Sequence, residues 1–217
     1  MPPTIPTDLR QHLTRVVDVE VTPAVTLKVR EVLYQRRPNH WSRVWPSALA
    51  LSRWLVEQPR LPDRARELGC GVGVVSLTLA RLGVQVEGTD REPLALAFAL
   101  RNARENDVTG LTVRHLDWRE PEGEPSDFIV ASDILYEPEA PALVFHVIHT
   151  AGLLSSGGRF ILAGPRARPV PVQEFIRRLH DEGYTHHEEL RSVEWEGRVE
   201  EIEIHELQRP TSHTGKP

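Results

Sequence analysis

Hydrophobic residues recur along the chain alternately at the spacing of helices and at the spacing of strands. A helix is predicted over 24–35. Apolar residues at helical spacing predict further helices over 47–58, 75–82, 93–106, 141–154 and 172–182. Short apolar or alternating segments predict strands over 65–68, 84–88, 111–116, 128–131, 159–163, 186–195 and 199–207.

The order of these elements predicts the fold class. Strands that alternate with helices are typical of βαβ units and a parallel sheet. The last two strands are joined by Glu196-Gly197, a tight turn that makes them antiparallel. We therefore expect an α/β, Rossmann-like, doubly wound seven-stranded sheet, mostly parallel with a C-terminal antiparallel hairpin and helices on both faces. Around the domain at 23–207 we expect a partly disordered extension at 1–22 and a disordered tail at 208–217.

Composition excludes several classes of function. The 217 residues suit one domain, and the net charge of −5 lacks the basic excess typical of nucleic-acid binding. The single cysteine, Cys70, forms neither an internal disulfide nor a cysteine zinc cluster. The chain contains no apolar run of about 18 residues and does not begin like a secretory signal. We expect a cytoplasmic protein with no membrane partner.

Charge is unevenly distributed along the chain. Residues 181–206 contain ten acidic and two basic side chains, a balance of −8. Glu201 and Glu203 alternate there with apolar residues, so they share one face of the last strand. If that face borders a substrate cleft, it would steer a cationic partner, whereas a solvated acidic face is the simpler alternative.

A glycine-rich turn between the first predicted strand and the next helix is the main candidate for ligand binding. Glu67-Leu68-Gly69-Cys70-Gly71-Val72-Gly73 brings the backbone close to a ligand at a helix N-terminus. Asp90 ends the next strand, where a carboxylate accepts hydrogen bonds from ribose hydroxyls. The spacing departs from G-x-G-x-x-G of dinucleotide sites and suits S-adenosylmethionine, which has no pyrophosphate. A plain tight turn is the alternative.

Polar residues also follow the third and fourth of these strands. Asp117-Trp118 comes after the third, where an acid can accept from an adenine amine and an indole can pack beside it. Ser132 and Asp133 follow the fourth, with Tyr136 three residues later, near the expected reversal of strand order. A carboxylate and a phenol there suit an amine substrate, although a capping Asp and a packed Tyr are equally consistent with the spacing.

Two other kinds of chemistry find little support. Asn/Asp-Pro-Pro-Tyr, common in enzymes that methylate planar nitrogen, is absent because Ile134-Leu135 replaces both prolines. His186-His187 lies in a strand, where neighbouring side chains point to opposite faces, so we expect no metal site there.

Together these residues resemble the seven-β-strand methyltransferases and, within them, the family-16 lysine methyltransferases. The resemblance covers about residues 23–207 and includes Asp133-x-x-Tyr136, similar to the family's D-x-x-Y motif. It implies catalytic roles for Asp133 and Tyr136, and a cofactor contact for Trp45, which precedes Pro46. The full expected cofactor set is Trp45, Glu67, Gly69, Cys70, Gly71, Gly73, Asp90, Arg91, Asp117, Trp118 and Ser132.

Two stretches are similar to the subgroup that methylates the β subunit of electron transfer flavoprotein. One runs from Thr22 to Leu27, ahead of the Trp-Pro helix, and the other is Gly164-Pro165-Arg166, which lacks that subgroup's Asp. The flavoprotein subunit is therefore an expected protein partner. Arg66 departs from the family, because the first strand there carries an aliphatic residue, and an arginine in a central strand needs a partner.

The function expected from these observations is transfer of methyl from S-adenosylmethionine to a protein lysine, with S-adenosylhomocysteine as product. A methyltransferase for a small amine or another acceptor is the nearest alternative. A nicotinamide-dependent oxidoreductase and a catalytically silent binding protein are the remaining ones.

Overall fold

The computed structural model describes residues 3–33 and 40–211. A 3-10 turn at His40–Ser42 precedes the first helix, which begins at Pro46. A π-helical turn at His146–Thr150 extends the fourth helix, which begins at Ala140. The strands are β1 (Thr14–Thr22), β2 (Val25–Val32), β3 (Arg64–Leu68), β4 (Gln85–Asp90), β5 (Leu111–His115), β6 (Ser126–Ser132), β7 (Leu154–Pro165), β8 (Thr185–Trp195) and β9 (Arg198–Gln208). The helices are α1 (Pro46–Val56), α2 (Val74–Arg81), α3 (Pro93–Glu105), α4 (Ala140–Phe145) and α5 (Pro169–Asp181).

Seven strands form the central sheet, in the order β5-β4-β3-β6-β7-β9-β8. The first five are parallel, and β9 lies antiparallel between β7 and β8. This confirms the predicted sheet and its C-terminal hairpin. The chain moves outward from β3 to β5 and then returns to β6 on the other side of β3. The carboxyl ends of β3 and β6 therefore meet where the strand order reverses, which is where open α/β sheets bind ligands.

Alternating side chains of the central strands pack into two apolar layers, one on each face of the sheet. Phe128 and Val130 belong to the layer shared with α1, α2 and part of α3. Ile129 and Ala131 belong to the layer shared with α4 and α5. Because residues of a strand point alternately to its two faces, a sheet covered on both sides needs continuous apolar runs such as this one.

The helix predicted over 24–35 is wrong, because residues 25–32 form β2, which pairs with β1 in an antiparallel hairpin. The last two residues of that prediction, 34–35, lie outside the described residues. Val19 and Val21 on β1, with Leu27 and Val29 on β2, are buried at every second position. Asn102 of α3 accepts a hydrogen bond from the Arg30 amide at 2.9 Å and secures the hairpin to the domain. The hairpin spans the boundary expected between residues 22 and 23.

Two other boundaries differ from expectation. The helix expected to reach residue 154 stops earlier, because the chain turns at Gly152, whose φ is 72°, and β7 begins at Leu154. At the other end, Gln208 completes β9 and Arg209 donates its backbone N–H to Gly158 O at 2.9 Å. The rest of the expected tail, 212–217, lies outside the described residues.

Arg66 is satisfied by neighbouring chain segments. Its Nε donates to Glu87 Oε2 at 2.6 Å, directly across on β4, and its guanidinium also donates to the Glu124 carbonyl at 2.8 Å. A buried guanidinium paired in this way is accommodated in a central strand. Across 3–33 and 40–211, no helix has the length and apolar character needed to cross a membrane.

Candidate active site

A cavity of about 640 Å³ opens at the carboxyl ends of β3, β4, β5 and β6. That volume is typical of a small-molecule site. Every residue predicted for the cofactor or for catalysis lines it, with the exception of Gly73. The sheet topology brings these residues together, since they lie far apart along the chain and share only their position after a strand.

The turn after β3 is shaped by glycines. At Gly71, φ is 51° and an added Cβ would come within 3.0 Å of the Trp41 carbonyl oxygen, so a side chain there would displace the segment that covers the turn. Gly73 has a different role. An added Cβ would meet Ala99 of α3 at 3.1 Å, so we assign Gly73 to close helix packing rather than to the cavity wall.

Asp90 connects the glycine turn to the end of β4. Its Oδ2 accepts a hydrogen bond from the Gly71 amide at 3.0 Å, and its Oδ1 accepts one from the Glu92 amide at 2.9 Å. Burial raises the pKa of Asp90 to about 6, against the two backbone donors that lower it. The carboxylate is thus fixed in direction and keeps acceptor capacity towards the cavity.

Glu67 lies beneath the turn, with only 1% of its surface exposed. The Ser76 hydroxyl donates to its carboxylate. Burial raises the pKa of Glu67 to about 8. A positive charge placed beside such a carboxyl group lowers its pKa and favours its ionised form. In the described part of the chain, neither Glu67 nor Asp90 forms an ion pair.

These two acids and the open glycine turn fit a cationic ligand that also bears ribose hydroxyls. Trp118 is placed beside them, because an added Cβ on Gly69 would lie 3.6 Å from its ring. Asp117 also lines the cavity, and its Oδ1 accepts a hydrogen bond from the Arg119 amide at 2.9 Å. Burial raises the pKa of the Cys70 thiol well above its ordinary value, which keeps it protonated.

Asp133 and Tyr136 line the cavity from the loop after β6, the strand next to β3. The Asp133 side chain is 10% exposed, and its Oδ1 lies 2.7 Å from a guanidinium nitrogen of Arg168. Burial raises the pKa of Asp133, and Arg168 opposes that shift. The Tyr136 ring contacts the His40 ring, with 4.5 Å between their centroids.

The family model described as a methyltransferase domain matches residues 64–207. The chain belongs to this family. It is similar to the protein N-lysine methyltransferase METTL21A of Danio rerio, 36% identical over 163 residues, which cover 66% of this chain and 72% of the relative. The electron transfer flavoprotein beta subunit lysine methyltransferase of Xenopus laevis is 24% identical over 182 residues, covering 78% and 73%.

Among solved structures, the chain is similar to magnesium protoporphyrin IX methyltransferase from Synechocystis PCC 6803 with bound SAM. The TM-score is 0.58 at 25% identity, with 75% of this chain and 77% of that chain covered. Family and fold together make this chain an S-adenosylmethionine-dependent methyltransferase, as predicted. The oxidoreductase alternative is set aside.

The methyltransferase cavity also contains residues that the sequence pattern did not single out. Arg168 is the most consequential, because it pairs with Asp133, while Arg166 of the singled-out Gly164-Pro165-Arg166 segment turns away to Glu201 at 3.1 Å. Trp41 and His40 form part of the wall near Trp45. The sequence signal for this segment was the resemblance at Trp45 and Pro46, a few residues further along the chain.

The acidic segment 181–206 does not border the cavity, since none of its residues lines it. Glu201 and Glu203 do share a face, as predicted, and both face Arg166, at 3.1 and 3.7 Å. The steering role expected for that face therefore has no support at the cavity.

Proposed function

We propose that this methyltransferase transfers a methyl group to the ε-amine of a lysine in a protein substrate. The observation that carries the proposal is the Asp133 carboxylate, which is nearly buried at the cavity and already holds a cation, Arg168, at 2.7 Å. A carboxylate that holds one cation there can hold a lysine ammonium in its place. The similarity to METTL21A supports a protein acceptor.

Each residue of the site has a role under this proposal. Glu67 and Asp90 hold the cofactor through its positive charge and its ribose, and Trp118 packs beside its base. S-adenosylmethionine supplies an electrophilic methyl group on a sulfonium. Asp133 attracts the lysine ammonium, and the Tyr136 hydroxyl orients the nitrogen. The low exposure of the site at Asp133 favours the neutral amine, since desolvation disfavours its charged form.

Methyl transfer needs an amine that is deprotonated and aligned with the methyl carbon. Positioning is the main contribution of such a site, because alignment of two bound reactants replaces an unfavourable encounter in solution. Arg168 competes with the ammonium for Asp133, so substrate binding requires Arg168 to move away from its present position.

The test uses labelled S-adenosylmethionine, the purified enzyme and a cell lysate. Protein bands should be labelled by the wild type, and Asp133→Asn should lower labelling by about 100-fold. Asp127→Asn is the matched control, because Asp127 is exposed at the opposite end of the same strand. Mass spectrometry should then locate methyl groups on lysine. Label confined to small molecules or RNA, or methylation of arginine alone, would contradict the proposal.

The β subunit of electron transfer flavoprotein is the specific acceptor that we propose. Support comes from the relative that is 24% identical over 78% of this chain. Purified flavoprotein should accept label in the presence of the enzyme, and its β subunit should gain mass in steps of one methyl group. If lysate proteins were labelled and the purified flavoprotein were not, the flavoprotein would be excluded as the acceptor. The proposal of lysine methylation would be unaffected.

The cytoplasm is the location that we propose for this activity. The single cysteine, buried and free, is consistent with a reducing compartment. Cell fractionation of the source organism with an antibody against the enzyme tests it.

A further inference from the structure

Two histidines and a glutamate meet on one face of the β8–β9 hairpin. The strand register places Glu188 directly opposite His205. His186 is two residues before Glu188, so its side chain lies on the same face. We call these three residues the histidine cluster. None of them lines the methyltransferase cavity.

The donor atoms of the histidine cluster are close enough to share one ion. His186 Nε2 lies 3.1 Å from His205 Nδ1, and Glu188 Oε2 lies 3.5 Å from that same nitrogen. One ligand atom from each residue falls within 4.8 Å of the others. Two nitrogens bound to tetrahedral zinc at about 2.0–2.1 Å are separated by roughly 3.4 Å, so little movement is needed.

The second nitrogen of His205 gives an independent indication. The His205 side chain is only 3% exposed, and its Nε2 has no hydrogen-bond partner in the described residues. Glu203 Oε2 lies 3.7 Å from that nitrogen. A histidine that binds a metal through one nitrogen usually donates its other N–H to a carboxylate, and Glu203 occupies the place of that partner.

The exposure of the third ligand also suits a metal site. Glu188 is half exposed, so the cluster is accessible to an ion from solvent.

We infer that His186, Glu188 and His205 form a binding site for a divalent transition-metal ion, with zinc as the ion that the ligand set fits. Two imidazoles and one carboxylate are a common zinc ligand set, and water completes the tetrahedron. Such an ion links β8 to β9 away from the methyl-transfer cavity. The inference therefore stands apart from the proposed lysine substrate.

The test is a titration of Zn²⁺ into the untagged full-length protein, after treatment with a chelator, followed by calorimetry. We expect one equivalent to bind. His186→Gln and Glu188→Gln should each weaken binding by at least about tenfold, since each removes one of three protein ligands. His187→Gln is the matched control, because His187 is exposed and points to the opposite face; its affinity should equal that of the wild type.

Cobalt provides a second measurement, which reports the coordination geometry of the bound ion. Co²⁺ in the wild type and in His187→Gln should give the intense visible bands of a four-coordinate site, and these bands should be lost in His186→Gln. The inference is overturned if zinc binds only at millimolar concentration, if the cobalt spectrum is that of the hydrated ion, or if His187→Gln weakens binding as much as the cluster variants do.

Discussion

Acidic side chains at the cavity and acidic side chains on the C-terminal hairpin are in opposite electrostatic situations. Glu67 and Asp90 are buried, and burial raises the pKa of each. On the hairpin, by contrast, Glu201 and Glu206 are paired with Arg166 and Arg159, at 3.1 and 2.7 Å. In the described residues, six of the ten acids along 181–206 form an ion pair with an arginine.

The difference teaches where a cation can bind. A carboxylate already paired with an arginine gains little from a second cation. A buried carboxyl without a cationic partner gains much, because the incoming charge offsets its desolvation. For the positive charge of the cofactor, local charge density in the sequence is therefore a poor guide, and buried acids without an ion pair are a better one. Asp133 is the intermediate case, since it is buried and also paired with Arg168.

Asp90→Asn should produce the largest change in cofactor binding. An asparagine side chain has one acceptor oxygen, so it cannot serve both the Gly71 and the Glu92 amides and also accept from a ribose. We expect the affinity for S-adenosylmethionine to fall by about 100-fold, or about 2.7 kcal/mol. Calorimetric titration measures it, with Asp127→Asn as the control. An unchanged affinity would contradict a cofactor role for Asp90.

Glu67→Gln should separate the effect of the buried acid on stability from its effect on cofactor binding. The folded protein retains a proton on Glu67 up to a pKa of about 8, whereas the ordinary value is 4.5. The unfolded chain has lost that proton, so the free energy of unfolding falls as pH rises between these values. Glutamine removes this dependence. The difference in stability between the variant and the wild type should therefore shift in favour of the variant as pH rises from 5 to 8.

The same variant should bind the cofactor less well. A neutral amide does not offset a positive charge, so we expect an affinity about tenfold lower at pH 8. Wild-type affinity should rise from pH 6 to pH 8 as Glu67 becomes easier to ionise, and the variant should lose most of that rise. Urea unfolding and calorimetry at both pH values measure the two effects. Glu174→Gln, at an exposed helical position, is the control and should keep the pH response of the wild type. If Glu174→Gln lost that response as Glu67→Gln does, the assignment to Glu67 would be contradicted.

Glu201→Gln should have the smallest effect. Its carboxylate and the Arg166 guanidinium are 52% and 53% exposed, and such surface pairs contribute about 0–1 kcal/mol. We expect the unfolding free energy to change by less than about 0.5 kcal/mol and KM for the protein substrate to stay constant at low and high salt. A several-fold rise in KM at low salt would instead restore the hairpin as a surface that steers the substrate.

The sequence by itself determined the features that depend on neighbouring residues. Strand and helix periodicity, the glycine turn and the two-residue turn at Glu196-Gly197 follow from local stereochemistry, so the sheet and most cavity residues were predicted. That turn also implied the register that sets Glu188 opposite His205. His186 and His187 point to opposite faces, so the pattern along one strand predicts no metal site. The histidine cluster depends on His205, which lies opposite Glu188 on the paired strand.

Tertiary structure alone decided what depends on partners distant in the chain. The segment at 25–32 has apolar residues that fit a helix locally, but pairing with β1 makes it a strand. Arg66 is accommodated by Glu87, and Asp133 is paired with Arg168 of a later loop. Burial and pairing set the charge state of each acid, and both are properties of the folded surroundings. The sequence therefore identifies the acids of the site, and only the fold shows which of them are free to hold a cation.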